Sequence, residues 1–228
     1  MLLLISVLLA FAIGFLFYLR RHGLALCLVA ILLLIQGSLL LDVHYHYGTK
    51  VTTTTTVAKV APIVNVHNNE IMVAQPVKQG KTIYTAYATK NPNTYETSTI
   101  LNKSKTVVIK HQGNSKAQRS TQNTQYVYQN ALARALFFGI TNQNQLKKQV
   151  ITYHLPSNWY LLSKKQLTQV GKQLRSKNYQ AQLQNNVKAK LTTQLKQTPS
   201  LAQQPQKLQQ LKNQYIQQTI AASLPRQS

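Results

Sequence analysis

Two uncharged apolar runs, separated by only a few residues, open this 228-residue chain and decide where the rest of it can live. Residues 1–19 carry no charged side chain, Arg20-Arg21-His22 interrupts, and residues 23–41 are again uncharged until Asp42. At about 1.5 Å of rise per helical residue, each run covers close to the roughly 30 Å hydrocarbon core of a bilayer. Backbone groups in lipid must find partners within their own segment, so each run has to be helix throughout. The expectation is a transmembrane helical hairpin over residues 1–41, with spans at about 2–19 and 24–41. Its short connection fits two antiparallel neighbours.

Basic residues in short loops face the cytoplasm. Arg20 and Arg21 lie in the connection, no basic residue precedes the first run, and the first after the second run is Lys50. Arg20 and Arg21 are therefore the topology determinants, and both chain ends are expected outside a cell membrane. A cleaved signal peptide wants a basic start and a short apolar stretch; the first run has neither. Leu24-Ala25-Leu26-Cys27 faintly resembles a lipoprotein cleavage site, but Leu26 is bulky and a largely apolar stretch of fourteen residues follows Cys27 before Asp42. Ser6, Gln36, Gly37 and Ser38 are the small or amide-bearing residues expected to pack span on span. No Asp, Glu, Lys, Arg or His sits within either run, so the usual mark of an ion or proton path is missing.

The second run exits through His44-Tyr45-His46-Tyr47. Aromatic and imidazole rings gather where a span meets water, and these four read as an interfacial belt. At positions i and i+2 of a strand, His44 and His46 would share a face, but a zinc site wants three or four ligands and a supporting shell. No metal or other cofactor is expected.

Residues 43–228 are long enough for one domain with a real core. They hold 24 of the 26 Lys and Arg against two carboxylates, Glu70 and Glu96. Only Arg119, Arg134, Arg175 and Arg226 are arginines there; the other twenty cations are lysines. Lysine is a hydrated point charge and arginine a bidentate fork, so the pattern suggests diffuse attraction to polyanions. The lone Cys27 lies within a span, which leaves no intrachain disulfide.

Short β-branched runs at residues 50–57, 60–66, 71–77, 81–88, 97–101 and 106–110 are separated by Gly, Pro and Asn, which argues an antiparallel sheet or small sandwich. Residues 125–129 and 149–154 add strands, and 131–139 reads as a short helix or an apolar strand. Trp159, between Leu155 and Leu161, is expected to anchor a core. From Ser163, a plausible N-cap, the period becomes helical: Leu167, Val170 and Leu174, then Leu183, Val187, Leu191 and Leu195, then Leu208, Leu211, Tyr215 and Ile220. The fold class is therefore α+β: the hairpin at 1–41, an extracytoplasmic β-rich domain at 43–162, a Gln-rich helical segment at 163–223 and a frayed tail at 224–228.

The chain resembles an uncharacterised family of two-span membrane proteins found in lactobacilli and their relatives. The matching pieces are the hairpin, His46-Tyr47-Gly48-Thr49-Lys50-Val51 with its threonine run, and Tyr153 to Ser163. The resemblance covers residues 1–175 and implies a Gram-positive cell membrane and a domain of unknown function. It supplies no catalytic residues.

Hydrolytic acid–base chemistry commonly needs paired carboxylates or a nucleophile with an oriented base. Glu70 and Glu96 have no spacing that pairs them, and Ser104-Lys105 and Ser163-Lys164 are expected by chance in so lysine-rich a chain. No P-loop, dinucleotide fingerprint or nucleophile elbow is present. The reading is a non-enzymatic, membrane-anchored envelope protein with no catalytic residues. Its cationic domain would face anionic wall polymers, lipid head groups or a membrane-protein partner. One alternative is an accessory subunit recognised through its hairpin; another inverts the topology and puts a nucleic-acid-binding domain in the cytoplasm. Nucleic acid is the disfavoured partner, and the oligomeric state is not readable.

Overall fold

A computed structural model of the chain describes residues 1–113, 116–139 and 143–225. The apolar runs form α1 (Leu2–Tyr18) and α2 (His22–Tyr45). Then follow β1 (Thr49–Lys59), β2 (Val64–Val66), β3 (Asn69–Gln79), β4 (Thr82–Lys90), β5 (Thr97–Leu101), β6 (Thr106–His111) and β7 (Gln118–Tyr128). After α3 (Ala131–Phe137) come β8 (Leu146–Leu155) and β9 (Trp159–Leu162). The chain ends in α4 (Lys164–Arg175), α5 (Lys177–Gln197), a 3-10 turn (Pro199–Gln203) and α6 (Pro205–Ser223). The fold is mixed α+β and divides into two compact units: residues 1–56 with 122–149, and residues 57–121 with 150–228. Each unit is discontinuous in sequence, whereas composition suggests consecutive blocks cut near residues 42 and 163.

Among the described residues, α2 alone is long and apolar enough to cross a membrane. Its 24 residues rise about 36 Å, and only Ala25 and Asp42 along it are buried in the protein. A helix from a soluble core would bury far more of its apolar surface. The 17-residue α1 is a shorter apolar helix. The two lie against each other. The side chains they shield from solvent recur every three or four residues, with Ser6, Leu9, Ile13 and Leu16 on α1 and Ala25, Leu28, Leu32 and Ile35 on α2. That spacing is the ridge-and-groove seam of paired helices.

The strands form two sheets. One sheet runs β1-β7-β8-β6; the other runs β2-β3-β4-β5, with β9 also on β3. The pairs β2–β3, β3–β4 and β4–β5 are antiparallel, as expected, but β3–β9 and β6–β8 are parallel. Parallel neighbours need long crossovers, and no local sequence signal marks such a return. In β9, Trp159 and Leu161 face Ile151, Tyr153 and Leu155 of β8 in the other sheet, and Met72 of β3 and Val60 complete this core. Tyr160 and Leu162 face the opposite way and pack with Ile71, Val170 and Leu224. The residue alternation of a strand thus serves two cores at once.

The helical layer follows from its sequence. Ser163 caps α4, its Oγ accepting from Gln166 N–H at 3.2 Å while Gln166 Oε1 accepts from Ser163 N–H at 2.8 Å. This is a reciprocal capping box with Gln in the third position. Leu167, Val170 and Leu174 lay α4 on the sheet. Asn69 Nδ2 donates to the Gln217 carbonyl at 3.1 Å, tying α6 to β3. Leu224 does not fray: it is 4 % exposed and belongs to the helix-side core. The remainder of the expected tail, 226–228, lies outside the described residues.

Candidate functional site

Helix α2 does not stop where its apolar run stops. It continues through Asp42, Val43, His44 and Tyr45, and His46 ends it in the left-handed region at φ +59°. His44 and His46 therefore sit at a helix end, which removes the shared strand face that would have made them a ligand pair. The rings of His44 and Tyr45 meet edge-on at 4.6 Å, and Tyr45 lies 5.7 Å from Tyr47. His46 leaves this group and stacks on Tyr126 of β7 at 3.9 Å. Three of the four expected belt rings, His44, Tyr45 and Tyr47, are exposed, and the fourth is half-buried against the sheet.

The residue that organises this end is Asp42, fully buried at the helix C-terminus. A carboxylate there opposes the helix dipole, so it needs donors. Gly48 N–H supplies one, at 2.6 Å from Asp42 Oδ1. Around it, Gln129 Nε2 donates to the carbonyls of Tyr47 (2.9 Å) and Thr49 (3.1 Å). Tyr128 Oη donates to the Phe137 carbonyl at 2.8 Å. Burial raises the Tyr128 pKa, the Asp42 charge raises it further, and Arg134 opposes both. The Met1 nitrogen donates to the carbonyls of Ala135 and Leu136 at 3.0 and 3.3 Å, so α1 and α2 meet β1, β7 and α3 in one unit.

Of the residues expected to pack the two helices together, Ser6 and Gly37 are half-buried, while Gln36 and Ser38 are exposed. Both serine hydroxyls bond within their own helix, Ser6 Oγ to Leu3 O and Ser38 Oγ to Ile35 O, each at 2.7 Å. The rest of the seam is aliphatic, and a serine hydroxyl can satisfy itself on the preceding turn. Arg20 and Arg21 occupy the connection with both side chains exposed; Arg20 turns the chain at φ +58°.

A second polar feature lies in the second unit and was not legible as a site in the sequence. A cavity of about 100 Å³ is lined by Lys59, Thr89, Lys90, Asn91, Ser98 and Arg119. Arg119 Nη1 donates to Ser98 Oγ at 3.3 Å. Its Nε is buried with no hydrogen-bond partner, and so are the Oγ of Thr89, 1 % exposed, and the hydroxyl of Tyr153, 0 % exposed. These groups are near enough for Arg119 and Thr89 to oppose the burial that raises the Tyr153 pKa, yet they make no bond of ordinary geometry with one another. Buried polar groups are nearly always satisfied, so three orphans together mark a place to fill. The available signal was rarity: Arg119 is one of four arginines among twenty lysines.

On the far side of Lys59 and Val60 is a wider hollow of about 420 Å³, bordered by Pro62, Glu70, Pro92, Lys116, Asn158 and Trp159. Glu70 has its pKa raised by partial burial, a shift reduced by the indole N–H of Trp159. An acid whose folded pKa is raised contributes most below its unfolded pKa, and that contribution is lost as pH rises through the folded value. Glu70→Gln is therefore expected to stabilise the chain at pH 7, with the gain fading as pH falls toward 4.5. Thermal melts of both proteins across that range check it; a constant difference at every pH would refute the titration of Glu70 as the cause.

Residues 19–170 match the model of a family described as a domain of unknown function (DUF4811). No curated protein and no solved structure matches the chain.

Proposed function

The chain belongs to the DUF4811 family, and from that premise we propose that it is a non-enzymatic, membrane-anchored protein of a Gram-positive cell envelope. Its α1 and α2 form a two-span hairpin with Arg20 and Arg21 in the cytoplasm, and its cationic remainder lies outside. The observation that carries this reading is a pairing of opposites. An apolar helix that buries almost nothing within the protein is followed by a region with 24 cations and two carboxylates. One of those, Glu70, is already half-buried. Such a field draws polyanions, and salt screens it. Anionic wall polymers and lipid head groups are the polyanions within reach of an extracytoplasmic domain.

Trypsin added to intact protoplasts is expected to degrade the chain from Lys50 onward and to spare Arg20 and Arg21, which become cleavable only after lysis. Complete protection of the region beyond Lys50 would overturn the reading. It would favour the inverted arrangement, in which the basic region binds nucleic acid with a steep salt dependence.

The accessory-subunit reading has one observation in its favour. Phe11 and Phe15 on α1, and Leu33, Leu34 and Leu40 on α2, remain exposed outside the seam. A protein retained in stoichiometric amount through high salt in mild detergent, and lost when Phe11 and Phe15 become alanine, would assign that face to a partner rather than to lipid.

A further inference from the structure

We propose that the cavity around Arg119 and Thr89 is a specific binding site for a phosphoryl oxyanion. This rests on the reading of the chain as a cationic, polyanion-facing protein and deepens it: diffuse lysine attraction brings the polymer or lipid close, and one built site grips a phosphate. The donor set is what such a group needs. Arg119 presents Nε, which has no partner, beside an Nη1 already steadied by Ser98. Guanidinium forks match the oxygens of a phosphate better than ammonium groups do. Thr89 Oγ, almost completely buried and without a partner, lies in the same lining. Lys59, exposed, and Lys90, half-buried, add charge at the rim.

The lining is selective as well as cationic. Among the described residues it contains no carboxylate, which would repel the ligand. A planar carboxylate would be satisfied by the Arg119 fork alone, whereas a tetrahedral group can use the fork, a hydroxyl and the rim lysines together. A volume of about 100 Å³ admits one phosphoryl group and little more. The neighbouring hollow shares Lys59 and Val60 with this cavity and offers Glu70 and Asn158 to hydroxyl groups. The chemistry recognised is thus a phosphate esterified to a polyol, and both a glycerol-phosphate polymer and a phosphatidylglycerol head group carry it.

The test uses the full chain in a neutral detergent, with chloride adjusted to hold ionic strength constant. Inorganic phosphate is titrated and followed by its phosphorus resonance. Saturable binding at one site per chain is expected. Thr89→Val, which keeps the side chain's shape and removes its hydroxyl, should weaken phosphate about tenfold. Arg119→Lys, which keeps the charge and loses the fork, should do about the same. Lys207→Gln, on an exposed position of α6, should change nothing. Competition by soluble poly(glycerol phosphate) or by phosphatidylglycerol vesicles then tells which source occupies the site. Phosphate binding that is absent, unsaturable, or equal in wild type and both cavity variants overturns the site. The wider reading fails separately, if the intact chain shows no salt-sensitive retention on the polymer or the vesicles.

Discussion

Replacing Trp159 by alanine is expected to cost about 3–5 kcal/mol of stability, a large share of the margin that holds an ordinary domain folded. The side chain is 2 % exposed and sits among Val60, Met72, Ile151, Tyr153 and Leu155. Its strand is only four residues long and joins the sheet through a parallel pairing with β3. Urea unfolding of the full chain in detergent, followed by far-ultraviolet circular dichroism, gives the number. The alanine variant has no tryptophan left to report by fluorescence. Trp159→Phe should lose less than half as much, because it keeps a large ring in the same core. Equal losses for the two variants, or an alanine loss below about 1 kcal/mol, would show that Trp159 does not anchor this core.

Gly48→Ala is the second large effect, at about 1–3 kcal/mol. A Cβ on Gly48 would stand 2.5 Å from Cδ2 and 2.8 Å from Cε2 of Phe137, and 3.1 Å from Asp42 Oδ1. The ring cannot retreat freely, since the Phe137 carbonyl is held by Tyr128 Oη. The same methyl group therefore pushes on α3 and on the Gly48–Asp42 hydrogen bond. Phe137→Ala should relieve the crowding, so the double variant should be less destabilised than the two single losses added together. Simple additivity in thermal melts would locate the cost elsewhere. Asp42→Asn, which keeps an acceptor for Gly48 N–H, should be milder than Asp42→Leu, which leaves that donor buried and unpaired at about 1–3 kcal/mol.

These two positions also mark how far the sequence could be read. Trp159 was expected in a core because a large ring flanked by Leu155 and Leu161 has few other places to go, and it lies there. Ser163 announced a helix start, since capping is a local interaction. The apolar helix α2 was visible for the same reason: hydropathy needs no partner to be read. Asp42, by contrast, looked like the boundary of a hydrophobic run, and only the return of Gly48, Gln129 and Phe137 makes it a buried acceptor.

Strands built from Thr, Gln and Asn, such as β7, hide their inward face because polar alternation carries no hydropathy contrast. The parallel pairing of β6 with β8, and of β3 with β9, depends on contacts 40 to 90 residues apart in the chain. Leu224 was lost to a terminus that reads as polar, although a single leucine beside a helix end was enough to fill the space against Ile71 and Leu162. At the cavity, the scarcity of arginine was on view from the beginning. What no spacing could show was that β1, β4, β5 and β7 bring Lys59, Thr89, Lys90, Ser98 and Arg119 around one hollow.

The burial of Asp42 also imposes an order in time. As a chain is synthesised from its first residue, α2 and the Gly48 turn exist long before Phe137 has been added. During that interval the carboxylate at the end of an apolar helix has no cover, and Gly48 has nothing packed over it. The bond from Gly48 N–H to Asp42 is local, but its cover comes only with Gln129 and Phe137, some eighty to ninety residues later. The end of α2 is thus covered by the protein's own later segments.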